Sequence, residues 1–248
     1  MAAFRSVSFG DLGGDLWGAA IDGALRMLAL GTPAGRRHQL GRDSIHWTVS
    51  GERWVLTADG LRLTIDPCDR PAEPSPGDGG AATSPGLDQL CHVSGRITID
   101  GIEHEIECLG TRTNRDQGVE LRDLDSLREV CAWFGAGEGL TLLSLRPRGA
   151  ADHSRDVATA SVFAPEAWQA VAEPRLSTTY SVDGAPTRVG LELWLRQDDE
   201  HYPRRAAGEV AGPPVDLQAE GLEISVAPLR CHSRGRQGAG VYLLARRG

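Results

Sequence analysis

Lysine is absent from this sequence: all 26 basic residues are arginine. That excludes Schiff-base chemistry at a lysine and any phosphate loop that depends on one. The total lack of lysine is read as codon bias of a GC-rich genome. Long apolar runs are missing too. The most apolar stretch, Ala24–Leu30, is interrupted by Arg26, so neither a signal peptide nor a membrane span is expected. Cysteines number five (68, 91, 108, 131 and 231), an odd count without a Cys-x-x-Cys. Reduced thiols and a cytoplasmic location are therefore expected. Basic excess is lacking as well. The net charge of −8 argues against nucleic acid and anionic membrane as partners. Cys91-His92 and Cys231-His232 are adjacent pairs, and strand neighbours point to opposite faces. No zinc-like spacing exists, so no metal is expected. A Gly-x-Ser-x-Gly elbow is also absent.

What is present is alternation. Val93, Gly95, Ile97 and Ile99 alternate with polar residues, and Ile102, His104, Ile106 and Cys108 alternate with three glutamates. Asp100-Gly101 between them suits a two-residue type I′ turn. That turn sets Ile99 opposite Ile102, Ile97 opposite His104, Val93 opposite Cys108 and Arg96 opposite Glu105. A one-residue slip would bury the glutamates, so the register is specified. His104 is the one inward residue of this hairpin that is not apolar. It is either a core histidine with a hydrogen-bond partner or a proton donor or acceptor in a cavity.

Shorter hairpins run on both sides. Val7 and Phe9 lie in a first strand. Trp17–Leu30 reads as strand, because Gly18 and Gly23 spoil a helix. Ile45–Ser50, Arg53–Thr57 and Leu61–Asp66 form a meander. After the central hairpin, Leu140–Arg146, Val157–Phe163, Thr178–Val182, Thr187–Arg196, Leu222–Val226 and Val241–Ala245 are strands. Pro165–Glu173 reads as a short helix with Pro at its start. His201–Pro214 and Arg230–Gly240 read as loops. Asp123–Phe134 fits either a helical stripe or a poorly amphipathic strand. Residues 67–90, with five prolines and four glycines, read as a linker or long surface loop. The expected organisation is an N-terminal β half (1–66), that linker (67–90) and a C-terminal β-barrel half (91–248). The fold class is all-β, either one antiparallel barrel or two packed barrel or sandwich halves, with one or two short helices.

A polar run follows the hairpin: Gly110-Thr-Arg-Thr-Asn-Arg-Asp-Gln-Gly118, then Arg122-Asp123. Gly110, Arg112, Asp116, Gly118, Arg122 and Asp123 stand in the order of a Gly-x-Arg-Asp-His-Ser-Trp-Gly-x-Arg-Asp pattern. In this the chain resembles the carotenoid 1,2-hydratase (hydroxyneurosporene synthase)/AttH-like family over residues 91–163. The His-Ser-Trp core of the pattern is absent here, and the spacing is longer. The resemblance implies a lipocalin-type, calycin-like β-barrel and favours strand over Asp123–Phe134. It also implies a cyclase, hydratase or isomerase acting without cofactor on a hydrophobic polyene or polyketide of natural-product biosynthesis. The lost core favours the alternative, a carrier that binds such a molecule without turnover. A homodimer is left open. Candidate catalytic residues are His104, Asp116 and Arg112: an Asp can move a proton, and an Arg can hold a developing enolate or carboxylate. Trp47, Trp54, Arg122, Asp123, Trp133 and Trp194 are candidates for binding a hydrophobic substrate.

Overall fold

The structure is a computed structural model that describes residues 4–13, 15–32, 35–41, 43–68, 71–72, 75–76, 86–99, 101–115, 120–165, 168–195 and 203–248. Its strands run, in chain order, β1 (Phe4–Gly10), β2 (Trp17–Asp22), β3 (Met27–Thr32), β4 (Gly35–Leu40), β5 (Ile45–Ser50), β6 (Arg53–Ala58), β7 (Leu61–Pro67), β8 (Ser75–Pro76), β9 (Gly86–Ile99) and β10 (Ile102–Arg115). They continue with β11 (Leu124–Gly135), β12 (Glu138–Pro147), β13 (Val157–Phe163), β14 (Gln169–Tyr180), β15 (Pro186–Leu195), β16 (Arg204–Val210), β17 (Val215–Ala219), β18 (Leu222–Ser233) and β19 (Arg236–Arg246).

The first sheet has nine strands in the order β4-β3-β2-β1-β10-β9-β7-β6-β5. It curls into a nearly closed barrel around Val7, Phe9, Leu30, Leu56, Ile65 and Val93. In the second, β12-β11-β19-β18-β16-β15-β14-β13 form a ring that the β12–β13 pairing closes. Its interior holds Val130, Leu142, Val189, Leu193, Leu229 and Tyr242. A third apolar cluster, with Phe4, Trp17, Met27, Leu127, Trp133 and Leu243, joins the two barrels. Strands that face a barrel interior on one side and the other barrel on the second are buried on both. Accordingly β2 and much of β11 show no polar–apolar alternation.

The central hairpin has the expected register: Ile102↔Ile99, His104↔Ile97, Glu105↔Arg96 and Cys108↔Val93. Arg96 makes its ion contact one step away, 3.6 Å from Glu103. Ile102, expected inward, is exposed at the hairpin tip. Gly95 has φ +155°, and a Cβ there would lie 2.0 Å from the Arg62 carbonyl oxygen. That neighbour is backbone, so β7 and β9 would have to part. Gly95→Ala is expected to destabilise by about 1–3 kcal/mol, read as a lowered urea midpoint. An unchanged midpoint would show that the strands yield freely.

Several expectations are corrected. Gln169–Glu173, expected in a helix, opens β14, where Val171 fills the barrel interior. Closure of the ring outweighs the helix-forming side chains. The helical content among the described residues is two single 3-10 turns, Leu121–Asp123 and His153–Arg155. Within the expected loop 201–214, β16 forms because β15 and β18 offer it partners on both sides. Its alternation is carried by Ala206 and Gly208, which give a weak signal. The expected loop 230–240 is the end of β18, the turn at Arg234-Gly235 and the start of β19. β4 was not anticipated, because Gly35–Leu40 carries polar side chains on an edge strand. Asp123–Phe134 resolves as strand from Leu124 onward.

The chain passes to the second sheet for the rest of its length between Arg115 and Leu124; within 67–90 only the two residues of β8 join that sheet, and the chain returns to the first at β9. β7 pairs with β9 across that segment, so the central hairpin belongs to the N-terminal barrel. Within 67–90, Ser75–Pro76 pairs with β13, Ala72 bridges to Asp88, and Gly86–Leu90 begins β9. Pro74, Pro85, Gly77, Gly79 and Gly80 lie outside the described residues.

Candidate active site

Of the polar run after Gly110, residues 111–115 are the end of β10, and strand alternation divides them between two environments. Gly110 and Arg112 share the inward face with His104, Ile106 and Cys108, while Thr111, Thr113 and Arg115 face the second barrel. Asp116 and Gly118 lie outside the described residues.

Arg112 caps one end of the N-terminal barrel. Its Nε and Nη2 donate to Gln89 Oε1 at 2.9 and 2.5 Å, and Nη1 donates to the Glu52 carbonyl. Its guanidinium carbon lies 4.8 Å from the centroid of Trp54, over the ring face. Trp47 meets Trp54 edge-on at 6.0 Å. Three candidates, Arg112, Trp54 and Trp47, are thus brought together. His104 is not: eight residues along one strand is about 27 Å. His104 Nε2 is buried and, among the described residues, has no hydrogen-bond partner. The hydrogen-bond partner expected for a core histidine is therefore absent at this nitrogen.

The other face of the run builds a polar seam between the barrels. Asp88, from β9, is 1% exposed and lies in its middle. Its Oδ1 accepts from Thr113 Oγ1 at 2.9 Å and pairs with Arg115 Nη2 at 2.8 Å. Its Oδ2 accepts from Thr141 Oγ1 at 2.8 Å and Ser161 Oγ at 3.0 Å. Thr141 and Ser161 belong to the second barrel, so this one carboxylate ties four strands across the interface. Arg115 also donates to the Leu87 and Asn114 carbonyls. A buried ion pair with its lone pairs and protons satisfied in this way is a structural device.

Glu129 is different. It projects from β11 into the same seam, flanked across the sheet by Leu143 and Leu243. It is 3% exposed, and Ser6 Oγ donates to its Oε1 at 2.9 Å. Burial pushes its pKa from the ordinary 4.5 up to about 7; Ser6 and Arg115 pull it down, and Asp88 adds repulsion. One carboxyl of the seam is locked in an ion pair, and its neighbour is poised to titrate near neutrality. Shifted carboxyls of this kind occur at acid–base sites and in structural ion-pair networks alike.

The shift has a consequence for stability. Below about 4.5 the Glu129 carboxyl is protonated whether the chain is folded or unfolded. As pH rises, the unfolded chain releases the proton first and the folded one holds it to about 7. Folding stability attributable to this group therefore falls across that window, by about 3 kcal/mol in all. The check is a difference measurement: wild-type denaturation free energy minus that of Glu129→Gln, from pH 4 to 8. A flat difference would mean that Glu129 does not titrate in this range.

The buried thiols are shielded from water. Burial raises Cys91 and Cys131 well above the usual thiol range, and Cys108 and Cys231 to about 12. They remain protonated and unreactive at neutral pH. Among the described residues no group of three or more His, Cys, Asp or Glu is placed to hold a metal ion. No helix among them is long and apolar enough to cross a membrane.

The remaining candidates are dispersed. Arg122 is exposed, 3.7 Å from Glu120, and Asp123 sits with it in the exposed 3-10 turn. Trp133 is fully buried between the barrels and donates from Nε1 to the Gly10 carbonyl at 3.1 Å. Trp194 lies on the outer face of β15, opposite the interior Leu193. Ser6, Asp88 and Glu129 were not anticipated. The available signal was Arg128-Glu129, a charged pair set in the otherwise apolar Val130-Cys-Ala-Trp-Phe134 strand.

An apolar pocket lies in the cluster between the barrels, with Glu129 and Ser6 outside its walls. Phe4, Ile21, Leu25, Met27, Leu121, Leu127 and Leu243 are among its walls. Leu127 is two residues before Glu129 on β11, and Phe4 two before Ser6 on β1. The walls close on a cavity of about 10 Å³, room for one water. Open hollows of about 510–630 Å³ lie between the β14–β15 turn and β17–β18, where Ile224 is shared with the seam pocket, over β14, β15, β16 and β18, and beside β4, β5 and β6.

No family model and no curated protein matches the sequence. Solved structures do match the fold. A protein assigned as an AttH from Nitrosomonas europaea superposes with a TM-score of 0.65 at 11% identity, covering 98% of this chain and 91% of that one. The fold is that of the AttH-like proteins. CghA in complex with Sch210972 gives a TM-score of 0.61 at 11% identity, covering 100% of this chain and 89% of that chain. Kievitone hydratase from Nectria haematococca gives 0.59 at 9%, covering 99% and 89%. The likeness spans both barrels, in agreement with the expected lipocalin-type architecture.

Proposed function

We propose that the protein is a hydratase- or cyclase-type enzyme that acts on a hydrophobic small molecule by proton transfer in the seam between its barrels. The observation that carries this reading is Glu129, a buried carboxyl with pKa about 7 in the seam that also holds an apolar pocket. One neighbour in fold, kievitone hydratase, is named for such an activity and supports it. A general acid works best when its pKa lies near the working pH. Glu129 would donate its proton to a polarised double bond, or to a hydroxyl leaving as water, and recover a proton afterwards. Ser6 orients the carboxyl, and Asp88–Arg115 fixes the strands on which both stand. To admit such a substrate the pocket at Leu25 and Leu121, residues of a turn and of the 3-10 segment, would have to widen well beyond its about 10 Å³. Its walls hold a flexible polyene or polyketide chain folded, and such preorganisation supplies much of a cyclisation barrier. No cofactor is needed for this chemistry.

The test is turnover by the purified protein of linear polyene and polyketide precursors in ¹⁸O-labelled water. Incorporated label identifies hydration, and an isomeric product without label identifies cyclisation. Recovery of a bound but unchanged precursor would establish a carrier instead.

A further inference from the structure

We infer that β5 is the contact surface for a second copy of this chain, the two β5 strands pairing antiparallel about a two-fold axis at Thr48. This inference does not rest on Glu129. The first sheet ends in β4 on one side and in β5 on the other. The two edges differ in what decides pairing. β4 carries Arg36, Arg37 and His38, and charged side chains are a common guard of an edge. Both arginines are also tied back to the protein, Arg36 to the Pro214 carbonyl and Arg37 to those of Asp59 and Thr98. β5 reads Ile45-His-Trp-Thr-Val-Ser50, with no Asp, Glu, Lys or Arg, no proline and no bulge in its register with β6. Ile, Trp, Thr and Val favour strands. Among the described residues β5 pairs with β6 alone, and His46, Thr48, Val49 and Ser50 are exposed. Val49 shares a face with the interior Trp54 opposite it, and at this edge it is still 45% exposed.

The strand is also held ready. Arg112 donates to the Glu52 carbonyl in the β5–β6 turn, and at the other end Arg26 Nη1 donates to the Ile45 carbonyl at 3.0 Å. A fixed edge loses little freedom on pairing. Ser50 and Arg53 flank a two-residue turn and bond to each other, so alternation turns the N–H and C=O of Ile45, Trp47 and Val49 outward. Arg26 takes the Ile45 carbonyl, so Trp47 and Val49 supply the pairing groups. Setting Trp47 against Val49 of the second copy satisfies both and puts Thr48 opposite Thr48 on the axis. The same register sets His46 opposite Ser50. Apolar meets apolar and polar meets polar, so β5 complements itself, as an isologous contact requires. Aromatic against β-branched and Thr against Thr are favourable cross-strand pairs. The paired segment, 46–50, is short of the ~20–30 residues a side of a stable interface, so the dimer is weak and forms as concentration rises.

The test is sedimentation velocity of the full-length protein, from low micromolar to the highest soluble concentration. The wild type is expected to shift from monomer to dimer. Thr48→Lys and Thr48→Asp each put like charges face to face on the axis. Each alone should weaken self-association at least tenfold with little change in melting temperature, since Thr48 is exposed. An equal mixture of the two should restore the dimer, because opposite charges then meet. Val49→Pro removes one pairing N–H at a position where an edge strand tolerates proline, and it too should weaken self-association at least tenfold. The proposal fails if the wild type stays monomeric throughout, if either Thr48 variant dimerises like the wild type, or if mixing the two does not restore the dimer.

Discussion

Glu129→Gln should lower turnover of an accepted precursor by about a hundred- to ten-thousand-fold, the range for loss of a positioned general acid. Glutamine keeps the size of the side chain, and its carbonyl oxygen still accepts from Ser6. What it lacks is the proton. Because it carries no charge, it also escapes the desolvation that raises the Glu129 pKa to about 7. The variant should therefore be folded, and above neutral pH at least as stable as the parent. Wild-type turnover should fall as pH rises through about 7, where the acid form is lost, and this limb should be missing from residual activity in the variant. Full activity in Glu129→Gln would move the chemistry elsewhere, and Arg112 with Trp54 would be the next site to test.

Asp88→Asn should be the most damaging single substitution for stability. It removes the charge that faces Arg115 but leaves the guanidinium where it is, with both side chains no more than 4% exposed. Breaking one partner of such a buried pair costs about 3–5 kcal/mol. For a chain of this size that corresponds to a fall of roughly 6–20 °C in melting temperature. The asparagine amide also turns a donor toward hydroxyls that had donated to Asp88 Oδ2, those of Thr141 and Ser161. The seam should loosen, so the two barrels should lose their shared transition before either loses its own strands. Arg115→Met in the same background tests the cause: the double variant should recover part of the loss, because no unpaired charge remains. A double variant no better than Asp88→Asn would assign the cost to the hydroxyl network instead of the ion pair.

The sequence by itself determined the local structure of the central hairpin. Asp100-Gly101 fixes the turn, period-two alternation fixes the faces, and three glutamates forbid a slip, so every pair from Ile99↔Ile102 to Val93↔Cys108 follows. It likewise determined the all-β class, and the order Gly110, Arg112, Asp116, Gly118, Arg122, Asp123 pointed to a lipocalin-type fold that the structural likeness bears out. Tertiary structure decided the rest, because the deciding contacts are remote in the chain. Gln169–Glu173 is strand since the ring must close, against its own helix-forming side chains. β16 is strand because two partners wait for it. Strands buried on both faces lose the alternation that would have announced which residues meet. Ser6 and Glu129 stand 123 positions apart, as do Gly10 and Trp133, and no spacing rule links them. The Glu129 carboxyl gains its character only when Leu143, Leu243 and the first barrel remove it from water. Desolvation is a property of the packed molecule, and it separates a titrating acid from an ordinary surface glutamate.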